Sequence, residues 1–211
     1  MNSNWEKHYQ KVQEKNLTPS ATLVKAMDLF DEEKIDYLVA SDLGCGTGVD
    51  TIALIKSGWE VIAIDRQTQS IEELKKNAPE KYATKLSIIT GDFESVSLPD
   101  VSLVNASFSL PFCHPENFNS LWKKVVHSIL PNGRFTGHFF GVNDSWSTDP
   151  NKTFHTKEQV LNLFTEFDLE YFEEVEKAGR TILGEEKNWH VFHIVSKKKS
   201  QSQFHKNYNP S

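Results

Sequence analysis

The stretch DLGCGTG, Asp42 to Gly48, places a glycine at every second position behind an acid, between an apolar run and a helix-forming segment. Glycines there let a ligand approach the main chain closely, and free N–H groups at a helix start favour something negative. Two more acids follow at the ends of strand-like runs. Asp65 closes WEVIAID, and Asp92 sits in Gly91-Asp92-Phe93, immediately after LSIIT. Carboxylates in such places accept hydrogen bonds from hydroxyls and amines, and Phe93 offers an apolar wall for a flat ring.

Three ligand classes compete for this arrangement. A nucleotide-triphosphate loop needs Lys and then Ser or Thr after its last glycine, where this chain has Val49 and Asp50. A dinucleotide loop of the form G-x-G-x-x-G would need its third glycine at position 49, occupied by Val49. Asp65 nevertheless stands about 20 residues on, where a ribose-binding acid belongs, so spacing alone leaves an NAD(P)-dependent oxidoreductase open. The third class is S-adenosylmethionine, which has a carboxylate, an ammonium, a sulfonium, a ribose diol and adenine but no phosphate. Loop amides from Gly44 to Gly48 can approach its carboxylate, Asp42 its ammonium, Asp65 both ribose hydroxyls, and Asp92 with Phe93 the adenine. Each acid alone could equally cap a turn. Their order along the chain is what carries the reading.

These residues need elements to hold them, and strand-like and helix-like segments alternate from about residue 19 onward. Thr18 can cap a first helix with Pro19 in its first turn, and YLVASDL (37–43) reads as the first strand. A helix from Thr47 to about Ser57 stops at Gly58, and WEVIAID is the second strand. Ser70 and Glu73 form a capping-box pattern for the next helix, which Pro79 closes. LSIIT (86–90) and VSLVNA (101–106) are strands three and four. Phe118, Leu121, Trp122, Val125 and Ile129 then trace a helical core stripe. Pro131, Asn132 and Gly133 turn the chain into RFTGHFFG, the fifth strand, and Thr156 with Gln159 caps a further helix. LEYFEEVEKAG and NWHVFHIV close as a β-hairpin. This order implies an α/β fold with a mostly parallel sheet covered on both faces, whose ligands bind beyond the carboxyl ends of the strands.

At that same edge, His138, Asn143, Asp144 and Trp146 follow the fifth strand, and Trp189 and His190 begin the last. His138, Trp146 and His190 are therefore candidates for catalysis or for enclosing an acceptor. Each also has a plain reading as a structural residue, and residues 141–153 can be a lid or an inert connection. The eight histidines offer no metal-ligand spacing, because His190 and His193 point to opposite faces of a strand. No metal is expected.

With 211 residues the chain suits one well-buried domain. Its formal charge of −6, with Lys197, Lys198, Lys199 and Lys206 gathered in the tail, makes the remainder still more acidic. That argues against a nucleic-acid partner. The polar basic stretch from Ser196 reads as a frayed end. No apolar run is long enough to cross a bilayer, MNSNWEKHYQ is polar and lacks the apolar stretch expected of a signal peptide, and two cysteines imply no disulfide framework. A water-soluble cytoplasmic protein with a small-molecule partner, and monomer favoured, is the expectation.

In VASDLGCGTG, VIAID and GDF the sequence resembles the class I S-adenosylmethionine-dependent methyltransferases, over residues 35–197. WEKHY and PSATLVKA make it look most like small bacterial enzymes related to the tellurite-resistance methyltransferases. The resemblance implies a Rossmann-like seven-stranded sheet in the order 3-2-1-4-5-7-6, with strand 7 antiparallel and helices on both faces. It implies that residues 1–34 form a helical segment closing over the cofactor, with Tyr9 as its contact, and that 198–211 form a disordered basic tail. It places Asp42, Gly44, Cys45, Gly46 and Gly48 along the methionine part, Asp65 and Arg66 at the ribose, Asp92 and Phe93 at the adenine, and Ala106 and Ser107 near the methionine end. NASFSLPF lacks the paired prolines of enzymes that methylate DNA amino groups or glutamine, and Phe112 separates Pro111 from Cys113, so no cysteine-nucleophile pair is present. The implied activity is in-line methyl transfer to a small acceptor such as a thiol, a chalcogen oxyanion or another metabolite, with a base needed only where the nucleophile must lose a proton. A non-catalytic S-adenosylmethionine-binding module is the further alternative.

Overall fold

The computed structural model describes residues 18–200. Along the chain these form α1 (Ala21–Glu33), β1 (Val39–Leu43), α2 (Val49–Lys56), β2 (Glu60–Asp65), α3 (Thr68–Asn77), β3 (Leu86–Thr90), β4 (Val101–Ala106), α4 (Pro115–Ser128), β5 (Ile129–Gly141), β6 (Phe154–His155), α5 (Lys157–Leu163), β7 (Phe167–Arg180) and β8 (Glu186–Lys198). One sheet runs β3-β2-β1-β4-β5-β8-β7, with the two-residue β6 paired to β5 off that path. The pairs from β3 to β5 are parallel, and β8 is antiparallel to both its neighbours. Once β6 is counted, this is the expected order with its last two strands renumbered.

Both faces of the sheet are covered. The stripe of α4 packs Phe118, Leu121, Trp122 and Val125 against Phe135, Phe139 and Phe192. On the other face Leu23, Ala26 and Phe30 of α1 meet Trp59, Val61, Leu103 and Val195, while Ile71 and Leu74 of α3 meet Cys45 and Ala63. Successive strand residues, Leu103 with Val104 and Ile194 with Val195, fall in opposite clusters, as alternation along a strand requires.

Several boundaries differ from the sequence reading, each through a tertiary contact. The first helix starts after Ser20 rather than Thr18, where the Ser20 N–H donates to Asp50 Oδ1 at 2.8 Å. In α3 the cap position is Gln67, whose N–H donates to Asp65 Oδ1, so Ser70 lies buried inside the helix and forms no capping box. β1 and α2 are shorter than read, and Gly48 rather than Thr47 precedes α2. Pro131, Asn132 and Gly133 lie within the span of β5 rather than before it, with Asn132 at φ 65° and a register shift against β4. The capping box at Thr156 and Gln159 is present as expected.

The two ends also differ. α1 shares a core cluster with β1, α2 and β4, so the described part of the 1–34 segment is a sheet-covering helix of the same unit. β8 extends to Lys198, whose Nζ donates to the carbonyls of Val126 and Ile129 at the end of α4, and Lys199 Nζ reaches the Thr165 carbonyl. Residues 196–199 are thus held against the helix and sheet by these contacts, and lysines suit the carbonyl-rich end of a helix. Tyr9 and residues 201–211 lie outside the described residues. Among the described residues no helix is long and apolar enough to cross a membrane.

Candidate functional site

The loop between β1 and α2 holds its glycines for conformation. Gly44 and Gly48 have φ of 71° and 89°, where other residues are strained. A Cβ on Gly44 would also come 2.5 Å from Ser109 Cβ, and one on Gly48 would overlap the Leu74 side chain. Most loop amides are spent inside the protein. Gly44 and Cys45 donate to the Ile64 carbonyl, Gly48 to the Cys45 carbonyl, and Gly46 to Asp65 Oδ2 at 2.9 Å. The amides left for a ligand are those of Thr47 and of the first turn of α2. The expectation that the whole Gly44–Gly48 backbone faces a carboxylate narrows to these. Beside Gly44, the buried Ser109 Oγ has no partner among the described residues.

Around this loop gather three buried acids. Asp42 is 2% exposed, Asp65 5% and Asp50 9%. Asn105 Nδ2 donates to both Asp42 Oδ1 at 2.8 Å and Asp50 Oδ2 at 3.0 Å, and Thr51 Oγ1 donates to Asp42 Oδ2. Burial, and then the charge of Asp50 beside it, push the Asp42 carboxyl up to about 7. Burial also raises Asp65, against the backbone N–H groups of Gln67 and Gly46. Burial and the two nearby acids push the Cys45 thiol well up, so it lines the loop as an un-ionised group. Among the described residues no lysine or arginine forms a salt bridge with Asp42, Asp50 or Asp65. Arg66 stands nearby, but it is half-exposed and pairs with Asp92 at 3.7 Å.

The sequence reading placed Asp42 and Asp65 at this edge and missed Asp50, Thr51 and Asn105. Asp50 had been noted only for not being the Ser or Thr of a triphosphate loop, and Asn105 only for lacking prolines after it. Asp92 is exposed and Phe93 half-buried against the core, both just past β3. Ala106 is fully buried at the end of β4, and Ser107 Oγ donates to Asn105 Oδ1 at 3.2 Å.

Beyond β4 and β5 lies an aromatic region. His138 is buried, stacks on Phe108 with ring centroids 4.0 Å apart, and accepts the Phe108 N–H at Nδ1. Burial, with His193 beside it, lowers its pKa to about 3. A neutral ring whose Nδ1 accepts carries its proton on Nε2, so His138 is a donor and not a base. His190 is buried and held at both ring nitrogens, Nδ1 accepting from the Asn143 N–H and Nε2 3.1 Å from Glu174 Oε1. Trp146 packs with Trp189 and Phe140 around the Lys187 ammonium, which is itself ion-paired with buried Asp144. Further bonds tie Ser145 to Asn188 and the Thr153 N–H to the Pro111 carbonyl, so residues 141–153 are a pinned connection. His190 and Trp146 thus anchor structure, while His138 backs the exposed Phe108, a residue the sequence reading passed over.

The methyltransferase-domain family matches residues 40–133. Carboxy-S-adenosyl-L-methionine synthase of Shewanella piezotolerans is 30% identical over 97 residues, 44% of this chain and 40% of that protein. The match therefore spans about two fifths of the length of such curated relatives. Among solved structures, TehB from Haemophilus influenzae superposes with a TM-score of 0.73 at 16% identity, covering 92% of this chain and 67% of that one. A 1,6-didemethyltoxoflavin-N1-methyltransferase from Burkholderia thailandensis, solved with 1,6-didemethyltoxoflavin and S-adenosylhomocysteine, gives 0.64 at 16% identity over 94% and 87%. Residues 40–133 match the methyltransferase-domain family, and this strand order with a glycine loop between β1 and α2 is the fold of those S-adenosylmethionine-dependent methyltransferase structures.

Proposed function

We propose that this chain transfers the methyl group of S-adenosylmethionine to a small-molecule acceptor at the carboxyl edge of the sheet. The observation that carries this is the trio of buried acids, none in a salt bridge among the described residues. Two carboxylates around Asn105 and a third at Asp65 make a site that a cationic ligand relieves and a pyrophosphate would aggravate. S-adenosylmethionine brings an ammonium and a sulfonium, so the residues fit it, and they disfavour the oxidoreductase reading.

S-adenosylmethionine supplies a methyl carbon on a neutral leaving group. The chain's contribution is to bind, orient and keep water out. The Thr47 amide, the first turn of α2 and the Ser109 hydroxyl suit the donor's carboxylate. The lone pairs of Asp65 that Gly46 and Gln67 leave unused suit the ribose hydroxyls, and Asp92 with Phe93 the adenine. No base is required of His138, whose Nδ1 accepts the Phe108 N–H, or of His190, which is held at both ring nitrogens. The reading carries a small-molecule partner in place of nucleic acid or membrane, a cytoplasmic setting, and a monomer as sufficient. The Burkholderia enzyme named above also acts on a small molecule.

Calorimetric titration of the purified chain is expected to give uptake of S-adenosylmethionine and S-adenosylhomocysteine and none of NADH. Uptake of NADH alone would overturn the reading. Donor uptake without S-adenosylhomocysteine release across acceptor panels would favour the non-catalytic module.

A further inference from the structure

Phe108 combines features that ordinary packing does not explain. It is one of three non-glycine residues with positive φ among the described residues, at 50°. It is also 42% exposed, although it lies just past β4, beside the glycine loop. Non-glycine residues held in that backbone region are strained and persist where the surrounding structure holds them. Here the hold is specific. The Phe108 N–H donates to His138 Nδ1 at 3.3 Å, and the two rings stack at 4.0 Å with 12° between their planes.

His138 covers one face of the Phe108 ring, so the exposure falls on the other face and the edge. Trp189 and His193 stand perpendicular to the ring, with centroids 6.4 Å and 6.3 Å away. The next residue, Ser109, abuts Gly44 of the donor loop. The stack therefore leaves Phe108 partly exposed one residue from this contact with the glycine loop, with Trp189 and His193 roughly perpendicular to its ring.

We propose that Phe108 is the platform for the methyl acceptor, and that the acceptor is a planar heteroaromatic with a ring nitrogen or ring-bound hydroxyl as nucleophile. This rests on the methyl-transfer reading above. The electron-rich face of a phenyl ring favours offset stacking of another flat ring and repels oxyanions, which places tellurite and similar acceptors outside the class. An aliphatic amine is protonated at neutral pH and has no lone pair to give, whereas a ring nitrogen or hydroxyl keeps one. The acceptor's lone pair forms the new bond to carbon, the carbon–sulfur bond breaks with its electrons kept by sulfur, and any proton on the nucleophile leaves to solvent.

The test uses the full chain with four acceptor panels, namely hydroxylated or nitrogen heteroaromatics, aliphatic thiols, aliphatic amines, and tellurite with selenite. Product mass reads methylation, and calorimetry reads donor affinity separately. Methylated product is expected from the heteroaromatic panel. Phe108→Leu keeps bulk but loses the ring, and is expected to raise KM for that acceptor by about threefold to tenfold with donor affinity unchanged, while Phe108→Tyr stays near wild type. Methylation of thiols, amines or oxyanions with none of the flat acceptors overturns the proposal and leaves the methyl-transfer reading standing. So does a Phe108→Leu protein equal to wild type on a flat acceptor. Absence of donor uptake by the wild-type chain instead brings down the reading beneath it.

Discussion

At the scale of single residues, Asp42 and Asp50 share the two hydrogens of one amide, Asn105 Nδ2, in a buried site. Asp42 is raised to about 7 by that burial, so the folded state holds its proton more tightly than the unfolded chain, whose value is about 3.9. The stability from this group is full below the unfolded value and is lost as pH rises through about 7. Buried His138 and His155, lowered to about 3 and about 4 chiefly by burial, act the other way and lose stability as pH falls through the ordinary histidine range. The difference between wild type and Asp42→Asn isolates the acid. In donor-free thermal melts from pH 5 to 8 that difference is expected to grow with pH in favour of the variant, and saturating S-adenosylmethionine should shrink it. Gly48→Ala meets both a positive φ and the Leu74 side chain. It is expected to cost about 1–3 kcal/mol of stability and to weaken donor binding by at least tenfold, as calorimetry would read.

At the scale of elements, two buried charge sites tie helices and connections to the sheet. Arg134 of β5 is fully buried, bonded to Glu33 at the end of α1 and to Glu170 of β7, with its guanidinium over the Phe30 ring. The Arg134 hydrogen bond, ahead of that from Lys197, lowers Glu33 to about 2. This cluster fixes α1 against the sheet at the edge away from the glycine loop, and it explains why the 1–34 segment belongs to the same core. Glu170→Gln removes one of the two carboxylates from a buried guanidinium, and urea melts are expected to show a loss of about 2–3 kcal/mol. The second site, Lys187 with Asp144, is enclosed by Phe140, Trp146 and Trp189. Lys187→Ala leaves a buried carboxylate unpaired, with an expected cost of about 3–5 kcal/mol. Replacing Asp144 by Asn in the same chain should recover part of it, because the uncompensated charge is gone. Had residues 141–153 been a free lid, neither variant would move the melt.

At the scale of the molecule, a donor bound across β1, β2 and β3 acts on the whole fold by mass action. S-adenosylmethionine at 100 times its Kd is expected to raise unfolding free energy by about 2.7 kcal/mol. NADH at the same concentration is expected to leave the melt in place. Much of this architecture was legible beforehand. The period-3.6 stripe of α4 from Phe118 to Val125, the capping box of α5 and the closing hairpin are local patterns that formed where their residues indicated, while Ile129, read into that stripe, belongs to β5. The start of β5 at Ile129, ahead of Pro131 to Gly133, was not legible, because it depends on pairing with β4. Here β4 pairs with Ile129 before these residues and with Arg134 after them, so they are an unpaired excursion inside one strand.

The glycine spacing, the acids at the ends of β1 and β2 and the alternation of strand and helix were determined by the sequence alone, since each depends on residues a few positions apart. Tertiary structure alone decided which side chains meet across the strands. Asn105 lies 63 positions from Asp42, and His138 lies 30 from Phe108. No local pattern encodes those pairings, because they follow from the register of parallel strands joined by long crossovers. The buried pair of Asp42 and Asp50 around Asn105, and the stacked rings of Phe108 and His138, exist only once that register is set.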